Sequence, residues 1–139
     1  MKQREPISRI MTEQVITLNT SQSLAEVEEI FKKHNIRHIP VVSGSKLMGI
    51  LSLTDILRIS FVESYGDDEQ AVDTAVYNIL SIEQVMVANP VTVAPSQTIK
   101  EVAQILSDKE FHALPVVEDG ALKGIVTTTD LIKYLLAQY

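Results

Sequence analysis

The segments Gly49-Ile-Leu-Ser-Leu-Thr-Asp55 and Gly124-Ile-Val-Thr-Thr-Thr-Asp130 gather the side chains best suited to hold a sugar and a small anion. Ser52 and Thr54, like Thr127 and Thr129, stand two apart, so on extended backbone both hydroxyls face one side and can donate to phosphate oxygens. Asp55 and Asp130 each add a carboxylate that can accept hydrogen bonds from the paired hydroxyls of a ribose. A strand running directly into a helix would also aim amide hydrogens and the positive dipole end at such a ligand. Gly49 and Gly124 permit close backbone approach. The spacing has a second meaning. Ser52-x-x-Asp55 and Thr127-x-x-Asp130 also fit a helix N-cap with an acid three residues on, which stabilises by about 0.5–2 kcal/mol with no ligand at all. Ribose acceptor and helix cap are both readings of these two acids.

That the set occurs twice reflects an internal duplication. Residues 7–59 align with 82–134 at a constant offset of 75, without a gap, and 16 of the 53 positions are identical. The identities include Met11/Met86, Thr17/Thr92, Glu26-Val27/Glu101-Val102, Pro40-Val41-Val42/Pro115-Val116-Val117 and Thr54-Asp55/Thr129-Asp130. Two copies at this spacing predict a pseudo-two-fold pair rather than a solenoid.

The elements that must position the chemistry read the same way in both copies, as strand–helix–strand–strand–helix. Val15–Leu18 and Val91–Val93 are short β-branched runs that predict strands. Ser23-Leu-Ala-Glu26 and Thr98-Ile-Lys-Glu101 have capping-box spacing, and the apolar residues Leu24, Val27, Ile30 and Phe31, repeated as Ile99, Val102, Ile105 and Leu106, recur at helical intervals. The strands His38–Val42 and Leu47–Ser52, with their repeats Ala113–Val117 and Leu122–Thr127, are joined by glycine-containing turns. Closing helices are expected from about Thr54 and Thr129. The fold class is therefore α+β, with mixed helices and strands. One copy is too small to bury much surface alone, so the two are expected to pack as one globule. The domain plan is a repeat over 7–59, a linker over 60–81 and a repeat over 82–136. Within the linker, Gly66-Asp67-Asp68 reads as a stop, and Ala71, Ala75 and Ile79, with Val72 and Val76, read as a connecting helix.

Composition narrows the classes of function. With 12 Lys+Arg against 18 Asp+Glu, the chain carries a net charge of −6 and no basic stripe, so nucleic acid is not an expected partner. It has no Cys, which excludes disulfides and thiolate metal sites. No apolar run reaches secretory-signal or membrane-span length, so no membrane association is expected and the location expected is cytoplasmic. Neither a P-loop nor a Gly-x-Gly-x-x-Gly motif is present. His34 and His38 are four apart, but the first helix is expected to end near Asn35 and His38 to open a strand, so no metal pair forms. No catalytic residue, metal or catalytic cofactor is expected.

The runs His38-Ile-Pro-Val-Val through Asp55 and Ala113-Leu-Pro-Val-Val through Asp130 resemble the signature of the CBS domain family, named after cystathionine β-synthase. In that signature, Pro-Val-Val leads through a turn to a glycine, two apolar residues and a hydroxyl-x-hydroxyl-Asp that opens a helix. The resemblance covers about 7–59 and 82–136 and implies paired sheets with two clefts, each able to take AMP, ADP, ATP, S-adenosylmethionine or a related adenosine compound. It implies adenine contacts from Val15, Ile16, Thr17, His38 and Ile39 in one copy, and from Asn89, Val91, Thr92, Ala113 and Leu114 in the other. Arg37 and His112 hold equivalent positions from which positive charge can reach a phosphate. The second copy has an additional Thr128 and a small Ala113 where the first has His38, which favours it as the better site.

The function expected is a stand-alone regulatory sensor for an adenosine-containing nucleotide. The alternative is a scaffold or interaction module that binds none. The closing helices carry Ile56, Leu57, Ile59, Phe61 and Val62, and Leu131, Ile132, Leu135 and Leu136, more apolar surface than one contact face requires. With the family resemblance, this predicts a homodimer through those helices; the effector protein is unknown.

Overall fold

A computed structural model describes residues 4–63 and 79–139. After a short 3-10 turn at Ile7–Arg9, the elements in order are α1 (Leu24–His34), β1 (His38–Ser43), β2 (Lys46–Ser52), α2 (Leu53–Glu63), α3 (Ile82–Val85), β3 (Val87–Ala88), α4 (Ile99–Lys109), β4 (Ala113–Glu118), β5 (Ala121–Thr127) and α5 (Thr128–Leu136). Most of the connecting helix expected within 60–81 lies outside the described residues, including Gly66-Asp67-Asp68, Ala71, Val72, Ala75 and Val76. Ile79 is described and 75% exposed.

Hydroxyl caps start the first helix of each copy. Ser23 accepts from the Glu26 amide at 3.2 Å, and Thr98 accepts from the Glu101 amide at 3.1 Å. The amphipathic stripes then bury Leu24, Val27 and Phe31 in α1, and Ile99, Val102 and Leu106 in α4. Both helices end on a left-handed residue, Asn35 at φ 52 and Glu110 at φ 56. That conformation breaks the helix and turns the chain into the following strand. In the second copy, β4 and β5 pair antiparallel from Ala113↔Thr127 to Glu118↔Ala121. Their turn residues Asp119 (φ 53) and Gly120 (φ 79) suit a two-residue hairpin.

The opening strands expected at Val15–Leu18 and Val91–Val93 shrink to single parallel bridges, Leu18↔Val41 and Val93↔Val116. Leu18 donates to the Pro40 carbonyl at 2.9 Å and accepts from the Val42 amide at 2.8 Å; Val93 does the same with Pro115 and Val117 at 3.1 and 2.8 Å. The next rung would need an N–H from Pro40 or Pro115, and proline has none, so the ladder stops.

The described residues fall into two compact units, each with its own core. The first-copy unit takes its residues from Ile16–Gly44 and Met48–Asn89, the second-copy unit from the chain up to Val15, Ser45–Leu47 and Pro90–Tyr139. The first core centres on Leu18, Leu24, Val27, Phe31, Ile39, Val41, Leu51, Ile56 and Ile82. The second centres on Ile7, Val93, Val102, Leu106, Leu114, Val116 and Val126.

These units cut across the sequence repeat. Ile7 heads the first copy but is fully buried in the second-copy core, while Ile82 heads the second and is fully buried in the first-copy core. The leading segments are exchanged. Ile7 N donates to Gln97 O at 2.7 Å, Ile99 N to Glu5 O at 2.8 Å, and Thr12 and Ile125 exchange two bonds of 2.8 and 3.0 Å. In the first-copy unit, β3 pairs with β2 through Gly49↔Ala88 and Ile50↔Val87. Among the described residues, no helix is long and apolar enough to cross a membrane.

Candidate functional site

The strand-to-helix junctions form as the sequence indicated, with no residue between β2 and α2 or between β5 and α5. In each, the acid and the hydroxyl three residues before it close a reciprocal cap. The Ser52 amide donates to Asp55 Oδ2 at 3.1 Å and the Asp55 amide to Ser52 Oγ at 3.1 Å. The Thr127 amide donates to Asp130 Oδ2 at 2.9 Å and the Asp130 amide to Thr127 Oγ1 at 3.2 Å. The capping reading of these acids is therefore realised in both copies.

The caps do not exhaust the groups. Each carboxylate uses one oxygen, and among the described residues Oδ1 of Asp55 and of Asp130 takes no further bond. Each capping hydroxyl accepts with a lone pair and keeps its O–H to donate. The first helical amides are already used: Leu53 N donates to Arg37 O at 2.8 Å, and Thr128 N to His112 O at 3.0 Å. Fewer amides are open than a bare helix start would offer. The one left uncapped among the described residues is that of Thr54 or Thr129, on an exposed residue beside its own hydroxyl. Ser52, Asp55, Thr127 and Asp130 are half-buried, which suits groups that meet a ligand from a supported position.

The carbonyl bonds from Arg37 and His112 also tie the residues before β1 and β4 to their junctions. Arg37 and His112 themselves are exposed, while His38 and Ala113 are half-buried. Val15 and Ile16 are half-buried and Thr17 exposed; Asn89, Val91 and Thr92 are exposed. Ile39 and Leu114 differ from expectation. At 0% and 1% exposure they are core residues of their units, so their side chains cannot form a wall for adenine. The exchange also divides the proposed base contacts. Val15 belongs to the second-copy unit, whereas Ile16 and Thr17 belong to the first; Asn89 belongs to the first-copy unit, whereas Val91 and Thr92 belong to the second.

Gly49 and Gly124 do allow close approach, and what approaches is the chain itself. A Cβ at Gly124 would sit 2.8 Å from Thr12 O and 2.9 Å from Met11 Sδ; one at Gly49 would sit 2.7 Å from Val87 O and 2.6 Å from Met86 Sδ. A further concavity, of about 590 Å3, opens between α4 and α5, lined by Ala103, Leu106, Phe111, His112, Thr128 and Leu131 among others. Thr128 and His112 line it, whereas Thr127, Thr129 and Asp130 do not. Sequence reasoning missed this concavity, the exchanged segments, and a capping box at Ser81 and Gln84 (2.9 and 3.3 Å). For the last, Ser81-x-x-Gln84 was a readable signal.

Duplicated α+β units, each with a hydroxyl-x-hydroxyl-Asp junction after a Pro-Val-Val strand, define a paired-repeat module. The chain belongs to the CBS domain family, whose profile matches residues 7–61 and 82–137. It is similar to the CBS domain-containing protein YhcV of Bacillus subtilis, 31% identical over 122 residues that cover 87% of this chain and 79% of that protein. It is also similar to MJ1225 of Methanocaldococcus jannaschii, 27% identical over 95% of this chain and 48% of that protein. The crystal structure of MJ1225 superposes with a TM-score of 0.82 over 97% of this chain and 49% of that one. The chain thus spans about half the length of MJ1225. The CBS domain pair of MJ0100, solved in complex with 5′-methylthioadenosine and S-adenosyl-L-methionine, gives a TM-score of 0.75 at 28% identity, over 94% of this chain and 98% of that one.

Proposed function

We propose that this CBS pair is a regulatory sensor that binds an adenosine-containing nucleotide, AMP, ADP, ATP or S-adenosylmethionine, at its strand-to-helix junctions. The observation that carries the reading is the half-used carboxylate: Asp55 and Asp130 are each held in place by a cap that leaves Oδ1 to accept from a ribose hydroxyl. Ser52 and Thr127 donate their remaining O–H, and Thr54 and Thr129 supply an amide and a hydroxyl to phosphate. The Arg37 guanidinium adds charge where an acidic molecule otherwise repels an anion, and the His112 imidazole adds a ring donor toward phosphate. Adenine rests against Val15, Ile16, Thr17 and His38 at one junction, and against Asn89, Val91, Thr92 and Ala113 at the other. The adenosine ligands in the related MJ0100 pair support the ligand class.

A thermal-shift panel with AMP, ADP, ATP, S-adenosylmethionine and NAD tests this. Ligand at 100 times its dissociation constant adds about 2.7 kcal/mol. For a domain of this size that corresponds to a rise in Tm of several degrees, at about 2–4 °C per kcal/mol. The expected result is such a rise with at least one adenosine compound, largely lost in Asp130→Ala. No shift across the panel favours the second reading, a ligand-free scaffold, for which the exposed apolar residues Ile132, Leu135 and Leu136 of α5 speak. In either reading the closing helices serve a homodimer.

A further inference from the structure

The two junctions share their acid and their hydroxyls, so a difference in what they bind must come from the residues around them. Arg37 and His112 are held alike. The Arg37 carbonyl accepts from Leu53 at the start of α2, and the His112 carbonyl accepts from Thr128 at the start of α5. Each therefore stands at the same junction as Asp55 or Asp130, inside a single unit. The preceding helix ends three residues earlier in both copies, at His34 in α1 and at Lys109 in α4. Four residues of chain span at most about 14 Å, so the backbones of Lys33 and Asp108 lie within that distance of Arg37 and His112.

Charge at these equivalent positions runs in opposite senses. The first copy has Lys33, Asn35 and Arg37, and the second has Asp108, Glu110 and His112. Lys109 in place of His34 offsets only one of these changes. All six residues are exposed, and among the described residues Lys33 and Arg37 enter no ion pair; the neighbouring Lys32 is the lysine that pairs with Glu28, at 3.3 Å. A helix C-terminus favours cations, which alone would account for Lys33. It does not account for Arg37, which lies beyond the helix, and α4 ends beside Asp108 and Glu110.

We infer that the junctions sort adenosine compounds by the charge of the tail at the 5′ position. The first takes phosphorylated tails, ATP most tightly; the second takes S-adenosylmethionine, whose tail carries a sulfonium and an ammonium against a single carboxylate. This rests on the nucleotide reading above and assigns a ligand class to each site. The Arg37 guanidinium forks onto phosphate oxygens in pairs, and Lys33 adds a second charge on a flexible stem. At the second junction Asp108 and Glu110 repel the added phosphates of ATP and attract the ammonium.

The experiment is calorimetric titration of ATP, and separately of S-adenosylmethionine, into the full parent chain and three variants of it. These are Asp55→Asn, Asp130→Asn, and Lys33→Asp combined with Arg37→His, which gives exposed positions of the first copy the side chains of the second. Asp55→Asn is expected to remove ATP binding and spare S-adenosylmethionine, and Asp130→Asn to do the reverse. In the charge-swapped chain ATP is expected to bind at least about tenfold more weakly, the size of one charged hydrogen bond, with S-adenosylmethionine unchanged within about twofold. Any smaller loss of ATP, an equal loss of both compounds, or ATP binding that is lost in Asp130→Asn rather than Asp55→Asn overturns the sorting and leaves the nucleotide reading intact. A parent that binds just one of the two probes does the same. A parent that binds neither overturns both. Should the swapped chain fail to fold, Arg37→Gln removes only the guanidinium charge and is read for the same outcomes.

Discussion

In the proposed function, the acid at each junction, Asp55 or Asp130, serves stability and recognition together. The cap holds the carboxylate through Oδ2 and leaves Oδ1 outside it, the oxygen assigned to ribose in the proposed function. Asparagine in place of Asp130 keeps an acceptor for the Thr127 amide and removes the charge. Asp130→Asn is therefore expected to hold its denaturation midpoint within about 0.5 kcal/mol of the parent, while adenosine-nucleotide affinity falls at least about tenfold. Thr127→Ala is expected to lose about 0.5–2 kcal/mol in the same urea titration, because the Asp130 amide then has no side-chain cap. Equal stability losses from both substitutions would show that the acid acts only as a cap. At this scale the sequence was informative about residue types and silent about allegiance. Spacing alone indicates either cap or ligand for an acid three residues after a hydroxyl. Nor could it show that Ile39 and Leu114 turn into the core, since an apolar residue beside a strand proline suits core and pocket equally.

The helices and hairpins were legible because each carries its own local signals: hydroxyl caps at Ser23 and Thr98, apolar residues at helical spacing, and glycine in the turns. The weak opening strands were overread, since Pro40 and Pro115 end a ladder whose other partner is invisible in the run itself. The exchange of leading segments was not legible for a deeper reason. Duplication makes Ile7 equivalent to Ile82, and equivalence does not say which core receives either. Ile7→Ala should cost about 2–5 kcal/mol, as expected for a fully buried aliphatic side chain. Hydrogen exchange should show the loss of protection first in β4, β5 and α4, the elements of the other copy. Loss confined to α1 and β1 would mean that the segment packs with its own repeat.

At the scale of the whole molecule, the closing helices carry part of the apolar surface that stays exposed among the described residues. Ile132 and Leu136 are 56% and 67% exposed on α5, with Leu57 at 56% on α2. Sedimentation velocity is expected to show a dimer that Leu136→Glu, alone or with Ile132→Glu, converts to monomer; a monomeric parent would remove the closing helices from the assembly. Charge and composition pointed away from nucleic acid at this scale, and the repeat indicated the family, but neither names the ligand, because ribose and phosphate are common to the whole adenosine class. The decisive measurement is calorimetric titration of AMP and S-adenosylmethionine into the parent chain and into Asp55→Asn combined with Asp130→Asn. Saturable binding by the parent that disappears in the double substitution is the predicted result. Binding that survives in the double substitution, or no heat from the parent with either compound, would contradict it.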